Sequence, residues 1–189
     1  MPTTLEAEVK LACNDLDRLR RAGFELIIAE PRHFEDNVLL DSSDKTLLRQ
    51  RAALRIRFVD DRGWVTYKGV VRESDSPVKV REEIELEIPG ADRMVVLFER
   101  LGFRPAFRYQ KYRTVYDLSV EGRDLKVVRD ETPMGNFIEI EGDEATVLRV
   151  LEAAGFTEAD VVRESYPELQ AARCRARGVP LEDLVFQED

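Results

Sequence analysis

Seven segments of this chain alternate charged and apolar residues with a period of two, and that period constrains the fold more than any other feature of the sequence. Successive side chains of an extended strand point to opposite faces, so each such segment carries one ionic face and one apolar face. Glu6, Glu8 and Lys10 share a face opposite Leu5, Ala7, Val9 and Leu11. Arg55 and Arg57 oppose Leu54, Ile56 and Phe58, and Thr66 and Lys68 oppose Val65 and Tyr67. Lys79, Arg81, Glu83, Glu85 and Glu87 form the longest ionic face, backed by Ile84, Leu86 and Ile88. Lys111 pairs with Arg113, Lys126 with Asp130, and Glu139 with Glu141, the last pair backed by Ile138 and Ile140. On one strand, such a face is ordinarily the solvated side of a half-buried sheet. Seven strands with the same pattern suit a closed barrel of about eight, which has an inside and an outside. With the apolar faces inward the barrel is a packed core; with them outward they need helical cover and the lumen is charged. Periodicity does not choose between the two.

Helices are available for that cover. Apolar spacing predicts a short helix capped by Asn14 or Asp15 and running to Arg21, a helical turn near residues 47–51, and helices over residues 91–101, 143–154, 158–163 and 165–177. The endings RRAGF, ERLGF and EAAGF each place Gly then Phe after a helix, a capping pattern in which glycine takes the left-handed turn. Residues 25–30 read as an extended stretch broken at Pro31, followed by a further strand and the polar loop DSSDKT; the acidic tail reads as solvated. The fold class expected is α+β, an antiparallel barrel with helices outside. Residues 1–189 are expected to form a single domain with a helical C-terminal segment from about residue 157.

Composition narrows the chemistry. The net charge of −9 argues against nucleic acid and anionic membranes as partners. Two cysteines, Cys13 and Cys174, lie far apart, which speaks against a disulfide framework and points to the cytoplasm. One histidine, His33, builds no histidine metal site alone, and with no GxSxG-like or Cys–His pattern triad catalysis is not expected. His33, Trp64 and Tyr166 read as packing or surface residues, and Arg173, Arg175 and Arg177 as the exposed end of a helix. A charged lumen is costly unless its charges are paired or complemented. Polyphosphate and a divalent metal would complement both signs. Lys10, Arg55, Arg57, Lys68, Lys111 and Arg113 would clamp phosphate oxygens, and the carboxylates are hard ligands for Mg²⁺ or Mn²⁺.

The ordered residues resemble a known family. Glu6–Ala7–Glu8–Val9–Lys10 is similar to the ExExK motif that opens CYTH domains, the triphosphate tunnel metalloenzymes. ALRIR, TYKG, REEIELE, KYR and DETPMGNFIEIEG follow in the family's order, over roughly residues 4–168. RDETPMGNF departs from the more hydrophobic LDxxxxLGxF of many relatives. The resemblance implies an eight-stranded tunnel, with Glu6, Glu8, Glu139 and Glu141 on metal, Asp130 near the metals, and Glu83 and Glu85 as further metal candidates. It implies that Glu6, Glu8 and Lys10 take part in catalysis and that the six cations hold triphosphate. The function expected is metal-dependent hydrolysis of inorganic triphosphate, thiamine triphosphate or a nucleoside triphosphate, since the sequence shows no clear adenine pocket. The alternatives are a class IV adenylate cyclase and a non-catalytic polyphosphate or nucleotide binding module. A monomer or homodimer is expected.

Overall fold

The computed structural model describes residues 4–72 and 74–187. Eight strands close into an antiparallel barrel: β1 (Thr4–Leu11), β2 (Ile27–Ser42), β3 (Ala53–Val59), β4 (Arg62–Lys68), β5 (Lys79–Ile88), β6 (Phe103–Val120), β7 (Arg123–Thr132) and β8 (Gly135–Glu141). The order round the ring is β1-β5-β4-β3-β2-β6-β7-β8. Closure pairs every strand on both sides, so no ladder is left as an open edge over its full length. β1 and β2 lie four strands apart in either direction, on opposite walls.

Ionic faces point inward and apolar faces outward, under helices. Val9, Leu11, Val127, Ile138 and Ile140 pack against Leu19 of α1 (Asp17–Arg21) and Leu16 just before it, and against Val147, Val150 and Leu151 of α4 (Glu144–Ala153). Leu40, Leu54 and Ile56 pack against Met94, Val95 and Phe98 of α3 (Ala91–Arg100). Fully burying each of these side chains is worth roughly 1.5–3 kcal/mol, which favours the outward apolar arrangement once cover exists. Gly63 allows α3 to sit close on β4, because a Cβ there would overlap that of Ala91. The three Gly–Phe endings form as expected: Gly23, Gly102 and Gly155 take positive φ. Their phenylalanines join the clusters beneath the helices.

Four expectations change. β2 is not broken at Pro31; it runs unbroken for 16 residues, with register shifts between Ile28 and Glu30 and between Glu30 and His33 that absorb a residue with no N–H to donate. The N-cap position of α1 is Leu16, and Asp15 accepts from the Asp17 amide instead. Residues 158–163 are not helical. There the Val162 amide donates to the Lys10 carbonyl, and the Ala12 amide to that of Asp160, so the backbone extends the β1 edge instead of folding on itself. Helix α5 (Tyr166–Arg177) starts only at the capping box formed by Ser165 and Glu168.

Finally, the tail is not merely solvated. The N-terminal part of β6 overhangs β7, whose pairing begins at Tyr112. The tail takes that edge: the Leu184 amide donates to the Arg108 carbonyl and the Gln110 amide to that of Leu184. Leu184, 2% exposed, joins Phe107, Tyr109, Phe137 and Tyr166 in an apolar cluster that fills this end of the barrel. Helix α2 (Thr46–Arg49) is held by Asp41, whose carboxylate accepts from the Leu47 and Leu48 amides.

Candidate active site

The inward residues enclose a cavity of about 320 Å³ lined by nine Lys or Arg side chains and eight glutamates. Glu6, Glu8, Lys10, Arg55, Arg57, Lys68, Glu83, Glu85, Lys111, Arg113, Glu139 and Glu141 all line it. Register explains how distant segments meet. On the β1–β8 wall Glu8 faces Glu141 and Lys10 faces Glu139. Carboxylate oxygens of Glu6, Glu8 and Glu141 lie within 4.8 Å of one another, a group able to hold a metal ion. On the opposite wall β2 runs between two cationic strands, with Arg57 of β3 on one side and Lys111 and Arg113 of β6 on the other.

The acidic group has the electrostatics of carboxylates forced together. Burial pushes Glu141 up to about 7, with Glu139, Glu6 and Glu8 adding to the rise against the pull of Arg113. Burial and a hydrogen bond shared with Glu83 raise Glu6. Glu8 is also penalised by burial, but Arg81 and Lys68 outweigh that and hold it below the usual range. Arg81 donates to Glu8 at 2.8 Å, and Lys68 bridges Glu6 at 3.1 Å and Glu83 at 2.6 Å. Glu139 accepts from Arg113 at 2.8 Å and lies 3.5 Å from Lys10. Glu85 accepts from Arg55 and Thr66 and lies 3.4 Å from Arg57.

Asp130 is set behind the cavity wall. It is 0% exposed, and its two oxygens accept from Lys111 at 2.9 Å, twice from Arg113 at 2.7 Å, and from the Tyr166 hydroxyl at 2.8 Å. Burial opposes its charge, yet Arg113 and Lys111 hold its carboxyl well below the usual range. Four donors fill the capacity of a carboxylate.

Several site residues escaped the sequence reading. Glu35, 1% exposed, lies among Lys111, Arg57 and Arg113. Burial would raise its carboxyl, but Lys111, Arg57 and Arg113 hold it well below the usual range. Its strand hid it, because outward Asp36 is also charged and pairs with Arg108, so the apolar–ionic alternation fails there. Lys79 and Arg81 share the ionic face of β5 with Glu83 and Glu85, and that parity is the available signal. Tyr166 is buried with its ring 4.1 Å from the Lys10 ammonium, and Tyr109 accepts from Arg55 at 3.3 Å. Both lie on the apolar cluster at the barrel end; for Tyr166 the signal is the likeness of Ser165–Tyr166 to a family segment before the last helix, and for Tyr109 its local sequence carries none.

The CYTH domain model matches residues 4–166, most of the chain. The chain belongs to the CYTH family. A Methanocaldococcus jannaschii protein, provisionally named an adenylate cyclase, is 28% identical over 181 residues, covering 88% of this chain and 98% of that relative. A Pyrococcus horikoshii structure aligns at a TM-score of 0.70 with 26% identity, over 89% of this chain and 99% of the other. A Hippeastrum structure, described as a provisional adenylyl cyclase with a dominant triphosphatase activity, aligns at 0.60 with 22% identity, over 95% and 99% of the two chains. The CYTH match ends at the first residue of α5, so the helix body and the tail at the barrel end lie outside it. Among the described residues no helix is long and apolar enough to cross a membrane.

Proposed function

We propose that this CYTH protein is a divalent-metal-dependent hydrolase of triphosphate compounds. One observation carries the reading: the Nε–H groups of Arg55 and Arg57 are buried in the cavity with no acceptor among the described residues, and a cluster of three carboxylates lies in the same cavity. Buried donors without partners are costly, and guanidinium groups presenting them match the oxygens of a polyphosphate. The carboxylates match a hard cation, with Glu6, Glu8 and Glu141 as its ligands and Glu139 next to them on β8. Mg²⁺ or Mn²⁺ bound there would neutralise phosphate charge and acidify a water.

The chain's own residues do the rest. Arg55, Arg57, Lys68, Lys111 and Arg113 bind and orient the phosphates, and Lys10, beside Glu139, neutralises charge at the end held against Tyr166. Asp130 orients Lys111 and Arg113, since its oxygens are already filled by donors. Glu83 and Glu85 set Lys68 and the two β3 arginines. The dominant triphosphatase activity described for the Hippeastrum protein, which shares the fold, supports this reading.

The name of the M. jannaschii relative favours a second reading, cyclisation of ATP with release of pyrophosphate. Incubation with tripolyphosphate, thiamine triphosphate and ATP, each with Mg²⁺ or Mn²⁺, separates the two. Orthophosphate release supports hydrolysis, and cyclic AMP with pyrophosphate supports the cyclase. Binding without turnover leaves a non-catalytic module. Glu8→Gln should abolish turnover with the fold retained, and undiminished activity would overturn the metal assignment.

A further inference from the structure

Glu35 stands alone among the cavity carboxylates in what surrounds it. Its neighbours are Lys111 at 3.4 Å, Arg57 at 3.6 Å, Arg113 at 3.8 Å and His33 at 3.6 Å, with the Asn37 amide at 3.5 Å. Asp130 holds the same Lys111 and Arg113 at 2.7–2.9 Å. The difference decides what Glu35 does. At 2.7–2.9 Å Asp130 commits a Lys111 proton and one edge of Arg113, whereas at 3.4–3.8 Å Glu35 attracts the same charges, and Arg57, without taking a donor from them. Oε1 of Glu35 indeed has no hydrogen-bond partner among the described residues, and neither has Nε of Arg57. The Glu35 carboxylate lines the same cavity as the clamp, 1% exposed, on the wall facing the acidic cluster.

We propose that Glu35 is a positioning residue that spaces Arg57, Lys111 and Arg113 around a shared negative charge and, in doing so, opposes binding of the polyanion those cations take. This rests on the triphosphate reading of the cavity. Without Glu35, Lys111 and Arg113 would stay on Asp130, but Arg57 would be repelled by both and turn further toward Glu85, already 3.4 Å away. With Glu35 in place the three cations are held apart with donors available, at the cost of weaker ground-state affinity. Such an arrangement favours turnover over binding.

Glu35→Gln keeps the shape and removes the charge. Metal-free tripolyphosphate binding, measured by calorimetry with chelator present, should tighten about tenfold, because one opposing charge has left the cavity. Turnover of tripolyphosphate with Mg²⁺ should fall, with KM and kcat both reduced. A purely structural role would weaken binding and turnover together, and that result overturns the proposal, as does unchanged affinity. Glu35→Asp retains the charge on a shorter arm and guards against a misfolded glutamine variant. It should lower kcat while leaving metal-free affinity within about twofold of the native chain; a tightening like that expected of glutamine also overturns the proposal. If the native protein binds tripolyphosphate but turns over no triphosphate, the hydrolase reading fails, while the affinity comparison still decides the role of Glu35.

Discussion

Replacing Glu141 by Gln should stabilise the metal-free protein at neutral pH and remove much of its response to metal. In the fold this carboxyl titrates at about 7, against 4.5 for an unperturbed glutamate. The folded state therefore holds a proton that the unfolded chain releases. Its contribution to stability is complete below pH 4.5 and is lost as pH rises through about 7. The difference corresponds to about 3 kcal/mol, at roughly 1.4 kcal/mol per pH unit. The side chain is open in part to cavity water, which screens the neighbouring carboxylates and reduces the effect to about 2 kcal/mol. For a chain of this length that is a shift of about 4–8 °C in Tm. His33 changes stability in the same direction, because the Glu35 carboxylate 3.6 Å from its Nε2 raises its pKa above 6.5. Its contribution is complete below pH 6.5 and is lost above its folded value, so the comparison must keep His33 in place. Thermal melts in EDTA from pH 5 to 8 provide the assay. The native chain should lose Tm with rising pH, and Glu141→Gln should lose less and melt higher at pH 8. Added Mg²⁺ should restore the native chain and act weakly on the variant. Equal slopes between pH 5 and 7, or a variant that is less stable at pH 8, would refute the assignment of strain to the Glu6–Glu8–Glu141 group.

Other tests probe separate parts of the molecule. Tyr166→Phe removes one donor from Asp130 and should cost about 1–3 kcal/mol in urea denaturation, with lower turnover. Leu184→Ala should cost about 2–4 kcal/mol and speed hydrogen exchange at the Gln110 amide, which donates to the Leu184 carbonyl. Arg57→Lys exchanges a fork for a point charge and should weaken tripolyphosphate binding about tenfold by calorimetry. Asp41→Ala leaves the Leu47 and Leu48 amides without their acceptor and should cost about 1–2 kcal/mol in the same denaturation assay.

Much of the fold follows from local pattern. Period-two alternation marks β1, β3, β4, β5 and β8 because their outward residues are apolar and their inward ones ionic. β2 was harder to read: Pro31 resembles a break, and only the long pairing with β6 carries the strand past it through register shifts. Residues 158–163 have helical spacing but lie along β1, whose unpaired carbonyl and amide groups bind that backbone more favourably than one short helical turn would.

The sequence by itself determined which residues share a face, because side-chain parity along a strand is a local property. It also determined the order of motifs that places the chain in its family. Which face turns inward was a tertiary decision. Alternation is the same read from either side, and only the docking of α1, α3 and α4 on the apolar side sends the ions to the lumen. Tertiary structure alone likewise set Glu35 among three cations and drew the tail, through Leu184, against Tyr109 and Tyr166. Those contacts join strands far apart in the chain, and their energies depend on distances that no local pattern encodes.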